Sequence, residues 1–252
     1  MKIKKILVSQ PQPNTEKSPY FDIREKYSVK IDFRPFIKVE PVSTKEFRAQ
    51  RILLHDYTAV IFSARHGIDH FFRLCEELRT PVPESMKYFC TSETVAVYLQ
   101  RYIQYRKRKV FFSPTGKLPE FVTVLNKHAE EKFLLISSDV NNEELFSTLE
   151  KSKIKFRKTV MYKTVSNDFT SKKELKYDMI LFFSPKGIDS LIKNFPDFEQ
   201  GNMRIGCFGQ TTAQAVKDAG LRLDLVAPQP GVPSMTMALD NYLQEHNKKP
   251  KK

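Results

Sequence analysis

The sequence predicts an α/β fold: two similar parallel-sheet domains joined by a two-stranded extended linker, the first domain discontinuous. Short apolar runs alternate with amphipathic stretches along the 252 residues, the pattern of strands that reach parallel neighbours through helices. There is also an internal echo. Ala59–Ser63 followed by Gly67 resembles Leu181–Ser184 followed by Gly187, and Tyr88–Thr94 resembles Gly206–Thr212, both offset by roughly 120 residues, as a divergent duplication would leave. Strand count supplies the layout. Only three strands follow Ser166, too few for a domain, and two more precede Arg34. The economical solution joins residues 1–36 and 166–252 into one domain and inserts residues 42–157 as a second. Segments 37–41 and 158–165 then cross side by side between them.

Taken in order, Lys5–Gln10 is a first strand, ended by Pro11 and Pro13. Tyr20–Tyr27 is a short helix and Val29–Phe33 a second strand. Pro35 and Pro41 fix their own φ and restrict their predecessors, so residues 34–41 are extended. Ser43 caps the next helix, with Glu46 at the capping-box position. In the inserted region the strands are Thr58–Phe62, Lys87–Cys90, Lys109–Phe112 and Lys132–Ile136, and Phe156–Thr164 is extended, leading out into the linker. The helices between them are Gly67–Leu78, Ser92–Tyr105, Leu118–His128 and Asn142–Lys151. Then comes the most regular stretch of the chain. Met179–Phe183 runs into Ser184-Pro-Lys-Gly187 and a helix, and Ile205–Phe208 runs into Gly209-Gln-Thr-Thr212 and a helix to Ala219. Each turn opens a helix N-terminus, where free backbone N–H groups bind anions. Leu225–Ala227 is a last strand, Gln229–Pro233 a rigid loop, and Ser234 the cap of a final helix, Met235–His246.

Lys and Arg number 42 against 29 Asp and Glu, a net charge of +13. Such a surface attracts nucleic acid, anionic membrane or a polyanionic small molecule. Part of the excess lies at Lys2, Lys4, Lys5, Arg106–Lys109, Lys172, Lys173 and Lys248–Lys252, where plain solvation is the simpler reading. No helix-turn-helix, RNP motif or zinc spacing is present, and the aromatics sit mostly in apolar runs, so no nucleic-acid partner is expected. No apolar run approaches the roughly 18 residues of a membrane span. Ile6–Val8 is too short for the core of a signal peptide, and Pro11 and Pro13 close it off. Cys75, Cys90 and Cys207 form no C-x-x-C pair and have apolar neighbours, as buried thiols in a reducing compartment do. A cytoplasmic monomer is expected.

Phe183-Ser-Pro185, Gly209-Gln-Thr-Thr-Ala213, Val160-Met-Tyr-Lys-Thr-Val165 and the terminal Gly220-Leu and Pro228–Pro233 region, in this order and spacing, resemble the uroporphyrinogen-III synthase family over nearly the whole chain. The resemblance implies two α/β domains joined by a two-stranded ladder, with the site in the cleft between them. It implies an enzyme acting on hydroxymethylbilane, a linear tetrapyrrole bearing acetate and propionate chains. The family removes water, closes the ring and inverts the last pyrrole, without metal or organic cofactor. A non-catalytic two-domain module binding an acidic small molecule is the alternative.

The resemblance makes Tyr162 the residue that assists departure of the substrate hydroxyl. A phenol with a pKa of about 10 is protonated at neutral pH and can donate; packing in a strand is its bland alternative. Thr211 and Thr212, after Gly209, stand where the family meets its substrate, and either can also cap the helix. Ser63 and Ser184 end two strands, the usual place for ligands in α/β sheets, or serve as plain caps. Thr94 is the inserted domain's equivalent hydroxyl. There Thr91 replaces a glycine common in the family, and a β-branched residue does not readily take positive φ, so the turn must differ. Arg65, Lys186 and Arg204 are candidate carboxylate partners, or solvated surface charges. His66 has no triad around it, the five histidines show no metal spacing, and Ser113–Lys117 lacks the first glycine of a phosphate loop.

Overall fold

A computed structural model describes residues 2–15, 17–140, 143–169 and 175–247. Lys172, Lys173, the Lys248–Lys252 tail and the expected helix start Asn142 lie outside them. The first elements are β1 (Lys5–Val8), α1 (Pro19–Tyr27), β2 (Lys30–Phe33), β3 (Ile37–Pro41) and α2 (Thr44–Ala49). Next come β4 (Ala59–Phe62), α3 (Arg65–Glu77), β5 (Lys87–Cys90), α4 (Glu93–Tyr98), β6 (Val110–Phe112), α5 (Leu118–Asn126), β7 (Phe133–Ser138) and α6 (Glu143–Lys151). The chain continues through β8 (Phe156–Ser166), β9 (Met179–Phe182), α7 (Pro185–Asn194), β10 (Arg204–Phe208), α8 (Gln210–Asp218), β11 (Leu225–Ala227) and α9 (Met235–His246).

The chain divides into two compact units, Met1–Lys38 with Val165–Lys252, and Val39–Thr164. One sheet has the order β11-β10-β9-β1-β2 and is therefore built from both ends of the chain; the other has the order β3-β8-β7-β4-β5-β6. Strands β1, β2, β9, β10 and β11 pair in parallel, as do β4 to β8. The internal echo has a structural counterpart. β9-α7-β10-α8 and β4-α3-β5-α4 occupy the same positions in their sheets, with β1 and β2 standing where β7 and β8 do. Residues 158–160, expected in the linker, pair with β7 at Leu135, Ile136 and Ser137 and so belong to the sheet.

Successive strand residues point to opposite faces, and both faces of each sheet are covered. In the first unit Ile6, Val8, Met179 and Leu181 pack on one side with Tyr20 and Ile23 of α1 and Leu239 and Leu243 of α9. Leu7, Ile180, Phe182 and Ile205 pack on the other with Ile188 and Leu191 of α7 and Val216 of α8. In the second unit Val60, Phe62, Leu134 and Ile136 meet Phe71 and Leu74 of α3, and Ile61, Phe89 and Leu135 meet Phe121, Leu125 and Leu149. Two-sided burial explains why these strands read as unbroken apolar runs. It stabilises each unit by about 1.5–3 kcal/mol per fully buried aliphatic or Phe side chain. At Gly206 a Cβ would lie 2.6 Å from Leu181 Cδ2, so any larger residue there would displace the buried Leu181 side chain.

The capping box forms as expected: Ser43 Oγ accepts from Glu46 N–H, and Glu46 accepts from Ser43 N–H. The helix expected over Ser92–Tyr105 is shorter. α4 ends at Tyr98 and a 3₁₀ turn, Leu99–Arg101, follows. Tyr98 and Tyr102 both donate to Asp69 Oδ1, at 2.9 and 2.6 Å, and Tyr102 stacks flat on Phe72 at 4.7 Å. These anchors on α3 draw the chain out of its α-helical course. All three cysteines are buried and unpaired. Burial pushes the Cys75 thiol up to about 12 and raises that of Cys90 as well.

Candidate functional site

In the second sheet the chain leaves β4 for β5 and β6 on one side, then returns to lay β7 on the other. Where strand order reverses in this way, the helices diverge and a crevice opens beyond the carboxyl ends of the strands. A cavity of about 220 Å³ lies there, lined by Ser63 and Ala64 after β4, Ser137 and Ser138 at the end of β7, Phe146, and Tyr162 of β8. The register between β7 and β8 shifts between Ser137 and Ser138, so Ser138 pairs with Tyr162. A shift of this kind re-aims side chains and is common beside active sites.

Tyr162 is 8% exposed. Burial, reinforced by the Asp139 carboxylate and opposed by a hydrogen bond to Ser138, holds its phenol above the ordinary tyrosine range. The phenol therefore carries its proton throughout the neutral range. Its backbone is fixed as well: Asp139 N–H donates to Tyr162 O at 3.2 Å, and Thr164 N–H donates to Asp139 Oδ1 at 2.7 Å.

In the first unit strand order reverses at the equivalent place, between β1 and β9. Ser9, at the end of β1, is buried. Ser184 caps α7 by accepting from Gly187 N–H at 3.3 Å. Gly209 caps α8 with φ +88°, a conformation that favours glycine. Thr211 is exposed, while Thr212 is 1% exposed with its hydroxyl in the protein interior. The two threonines thus separate: Thr211 faces solvent and can meet a ligand, and Thr212 is enclosed by protein.

The two halves of the echo differ in detail. Ala64, not Ser63, caps α3, with backbone angles (−152°, 156°) close to those of Ser184 (−158°, 154°). The extra residue between serine and glycine in the first copy shifts Ser63 out of the cap position and onto the cavity wall. Thr91 keeps negative φ, and the cap moves on to Ser92. Glu93 then puts a carboxylate into the first turn of α4 beside Thr94, which weakens that turn as an anion site.

Charge at the other helix starts favours anions. Among the described residues, α3 and α8 are the two α-helices with neither a side-chain cap nor an acid in the first turn. Both begin at the carboxyl edge of their sheets. Arg65 opens α3 with its guanidinium 5.5 Å from the Tyr98 ring centroid, and Lys186 lies in the first turn of α7. Arg204 does not join them: it starts β10 beside Met179, at the opposite edge of the sheet.

Ser137, Ser138 and Phe146 were not among the expected site residues. The signal for the two serines was the one used for Ser63 and Ser184, an apolar run closed by hydroxyls, here Phe133–Ser138. The described residues also contain one grouping with metal-ligand chemistry, His128, Glu130 and Glu131, with ligand atoms within 4.8 Å of one another. Histidine spacing alone missed it because two ligands are carboxylates. Lys87 Nζ already sits 2.5 Å from Glu131 and 4.0 Å from Glu130, so a cation is in place there. No helix among the described residues is long and apolar enough to cross a membrane.

The sequence profile of the family described as uroporphyrinogen-III synthase HemD matches residues 22–237. Among solved structures, the uroporphyrinogen-III synthetase of Helicobacter pylori 26695 is similar at a TM-score of 0.63 and 17% identity, with 96% of this chain and all of that one covered. A mutant uroporphyrinogen III synthase of the extremely thermophilic bacterium Thermus thermophilus is similar at a TM-score of 0.54 and 13% identity, covering 96% of this chain and 99% of that one. At these identities the structures show a shared fold. No curated protein matches significantly. The family profile spans most of the chain, and the protein belongs to the uroporphyrinogen-III synthase family.

Proposed function

We propose that Tyr162 and the open N-termini of α3 and α8 carry the family's reaction, the closure of hydroxymethylbilane to uroporphyrinogen III. The enzyme is a hydro-lyase of tetrapyrrole biosynthesis. In this reading the Tyr162 phenol donates its proton as the substrate's C–O bond breaks, and the hydroxyl departs as water. The resulting azafulvene-like cation is reactive enough to close without further chemical help. Burial raises the phenol's pKa, which keeps the proton in place but makes it a reluctant donor. Transfer therefore accompanies C–O cleavage, when the leaving oxygen becomes basic. A positioned acid contributes roughly 10²–10⁴-fold. Holding the chain ends in one conformer is the larger lever.

The substrate's carboxylates suit the two uncapped helix starts, each worth about 0.3–1 kcal/mol toward an anion. Ser63, Ser184, Gly209 and Thr211 offer hydroxyls or backbone just beyond the carboxyl ends of β4, β9 and β10, and Thr212, the buried member of its pair, completes the first turn of α8. Arg65 and Lys186 add positive charge at positions where it is unfavourable until an anion binds. Thr94, beside Glu93, is the weakest member. We take the enzyme to act as a cytoplasmic monomer on this one small-molecule partner; its buried free thiols suit a reducing compartment.

The observation that carries this proposal is Tyr162, held protonated on the wall of the β4/β7 crevice. Freshly prepared hydroxymethylbilane tests it through the ratio of type III to type I product, since uncatalysed closure gives type I. The protein is expected to give type III. Tyr162→Phe is expected to lower kcat at least tenfold without abolishing type III formation. Unchanged kcat removes Tyr162 from the chemistry, and a product ratio equal to the protein-free control leaves a binding module only.

A further inference from the structure

On the face of Tyr162 lies a part of α3 to which neither the reaction nor the family match gives a role. His66 and His70 are one helical turn apart and project from the same side of α3. The His70 imidazole stacks on the Tyr162 ring with centroids 5.4 Å apart and planes 19° apart, and His66 approaches at 6.1 Å and 50°. His70 is itself held: Arg73 Nε–H donates to His70 Nδ1 at 3.4 Å. Arg73 is anchored in turn by Glu77 Oε1 at 2.7 Å and the Val42 carbonyl at 2.8 Å. The hydrogen bond to Nδ1 requires that nitrogen to be unprotonated, so the neutral ring carries its proton on Nε2.

We propose that His70 is a positioning residue for Tyr162: its neutral ring, pinned through Nδ1 by the Arg73–Glu77 pair, is a flat backstop that fixes the phenol on the cavity wall. The charged and titratable groups around His70 are consistent with a neutral ring. Burial, then the charges of Arg73 and His66, hold it below the usual imidazole range, and Asp69 alone pulls the other way. The remaining contact, from β8, is the Tyr162 phenol, which is uncharged at neutral pH. Protonation of His70 would break the Arg73 hydrogen bond and set two cations side by side. The catalytic consequence rests on the proposed role of Tyr162; the positioning itself does not.

Ring-¹³C-tyrosine relaxation on the whole protein separates the two, with the Tyr162 signal assigned by its loss in Tyr162→Phe. In His70→Ala the Tyr162 ring order parameter is expected to fall from a rigid value, about 0.85, to below about 0.6. His70→Phe, which keeps a flat ring, is expected to restore it, and His70→Gln serves if His70→Ala does not fold. An equally rigid Tyr162 in folded His70→Ala or His70→Gln overturns the proposal. In kinetics the mobile variant is expected to lose about tenfold in kcat with KM within twofold, and His70→Phe to recover most of it. A mobile Tyr162 with unchanged kcat leaves the positioning intact and overturns the catalytic role of Tyr162 instead.

Discussion

Thr211 and Thr212 are adjacent and chemically identical, yet the structure gives them different work. Thr211 is exposed at the open start of α8, and Thr212 is 1% exposed. Thr211→Val removes a hydroxyl available to a substrate carboxylate and is expected to raise KM about tenfold, the scale of one hydrogen bond to a charged group. Thr212→Val, similar in shape, is expected to leave KM within about twofold and to act on stability. Steady-state kinetics of the pair, with thermal melts, checks the division. His70 makes a second residue-scale prediction. Its folded pKa is depressed, so the unfolded chain takes up the proton first. The stability it contributes is present above the unfolded pKa of about 6.5 and is lost as pH falls below it. The melting temperature should therefore drop between pH 7 and pH 5, and His70→Gln should lose that part of the drop. At this scale the sequence was informative wherever backbone geometry dictates the residue. Gly209 at φ +88° and the reciprocal pair Ser43 and Glu46 are local necessities. The stacking of His70 on Tyr162 depends on how α3 lies over β8, and no local pattern carries that.

Helices and strands show where periodicity suffices and where it fails. β5, β11 and α9 have the limits the sequence suggested, because their apolar runs stop at turn residues or a capping serine. α4 was over-extended because its amphipathic pattern continues through Tyr102, while the two tyrosines bonded to Asp69 bend the real chain. The cavity at the end of β7 was missed for a similar reason: the register shift between Ser137 and Ser138 exists only once β8 is paired. Local necessity can be tested at α2. Ser43→Ala removes the side-chain half of the capping box, the bond from Glu46 N–H to Ser43 Oγ, while the Ser43 backbone N–H can still donate to Glu46. It is expected to cost about 1 kcal/mol, read as a lower melting temperature at unchanged kcat. The helix is six residues long with one buried side chain, Phe47, so it has little other means of holding its first turn.

Each unit has its own pair of cores, one on either side of its sheet, and this gives a prediction for the whole molecule. Residues 37–166 contain a complete sheet and both of its covering layers. As an isolated fragment they are expected to fold cooperatively, with a sharp thermal transition in circular dichroism; a featureless melt would refute this. The other unit has no contiguous counterpart, since β1 and β2 lie at one end of the sequence and β9, β10 and β11 at the other. That asymmetry bears on how the chain is made. As it leaves the ribosome, β1 and β2 emerge first but lack three of their sheet partners, while everything the insert needs follows at once. The segment born first thus waits through the maturation of its neighbour, with an unpaired strand edge open to wrong partners. A premature stop near Ser234 would therefore spare the insert and strand those early residues without the helix that covers them.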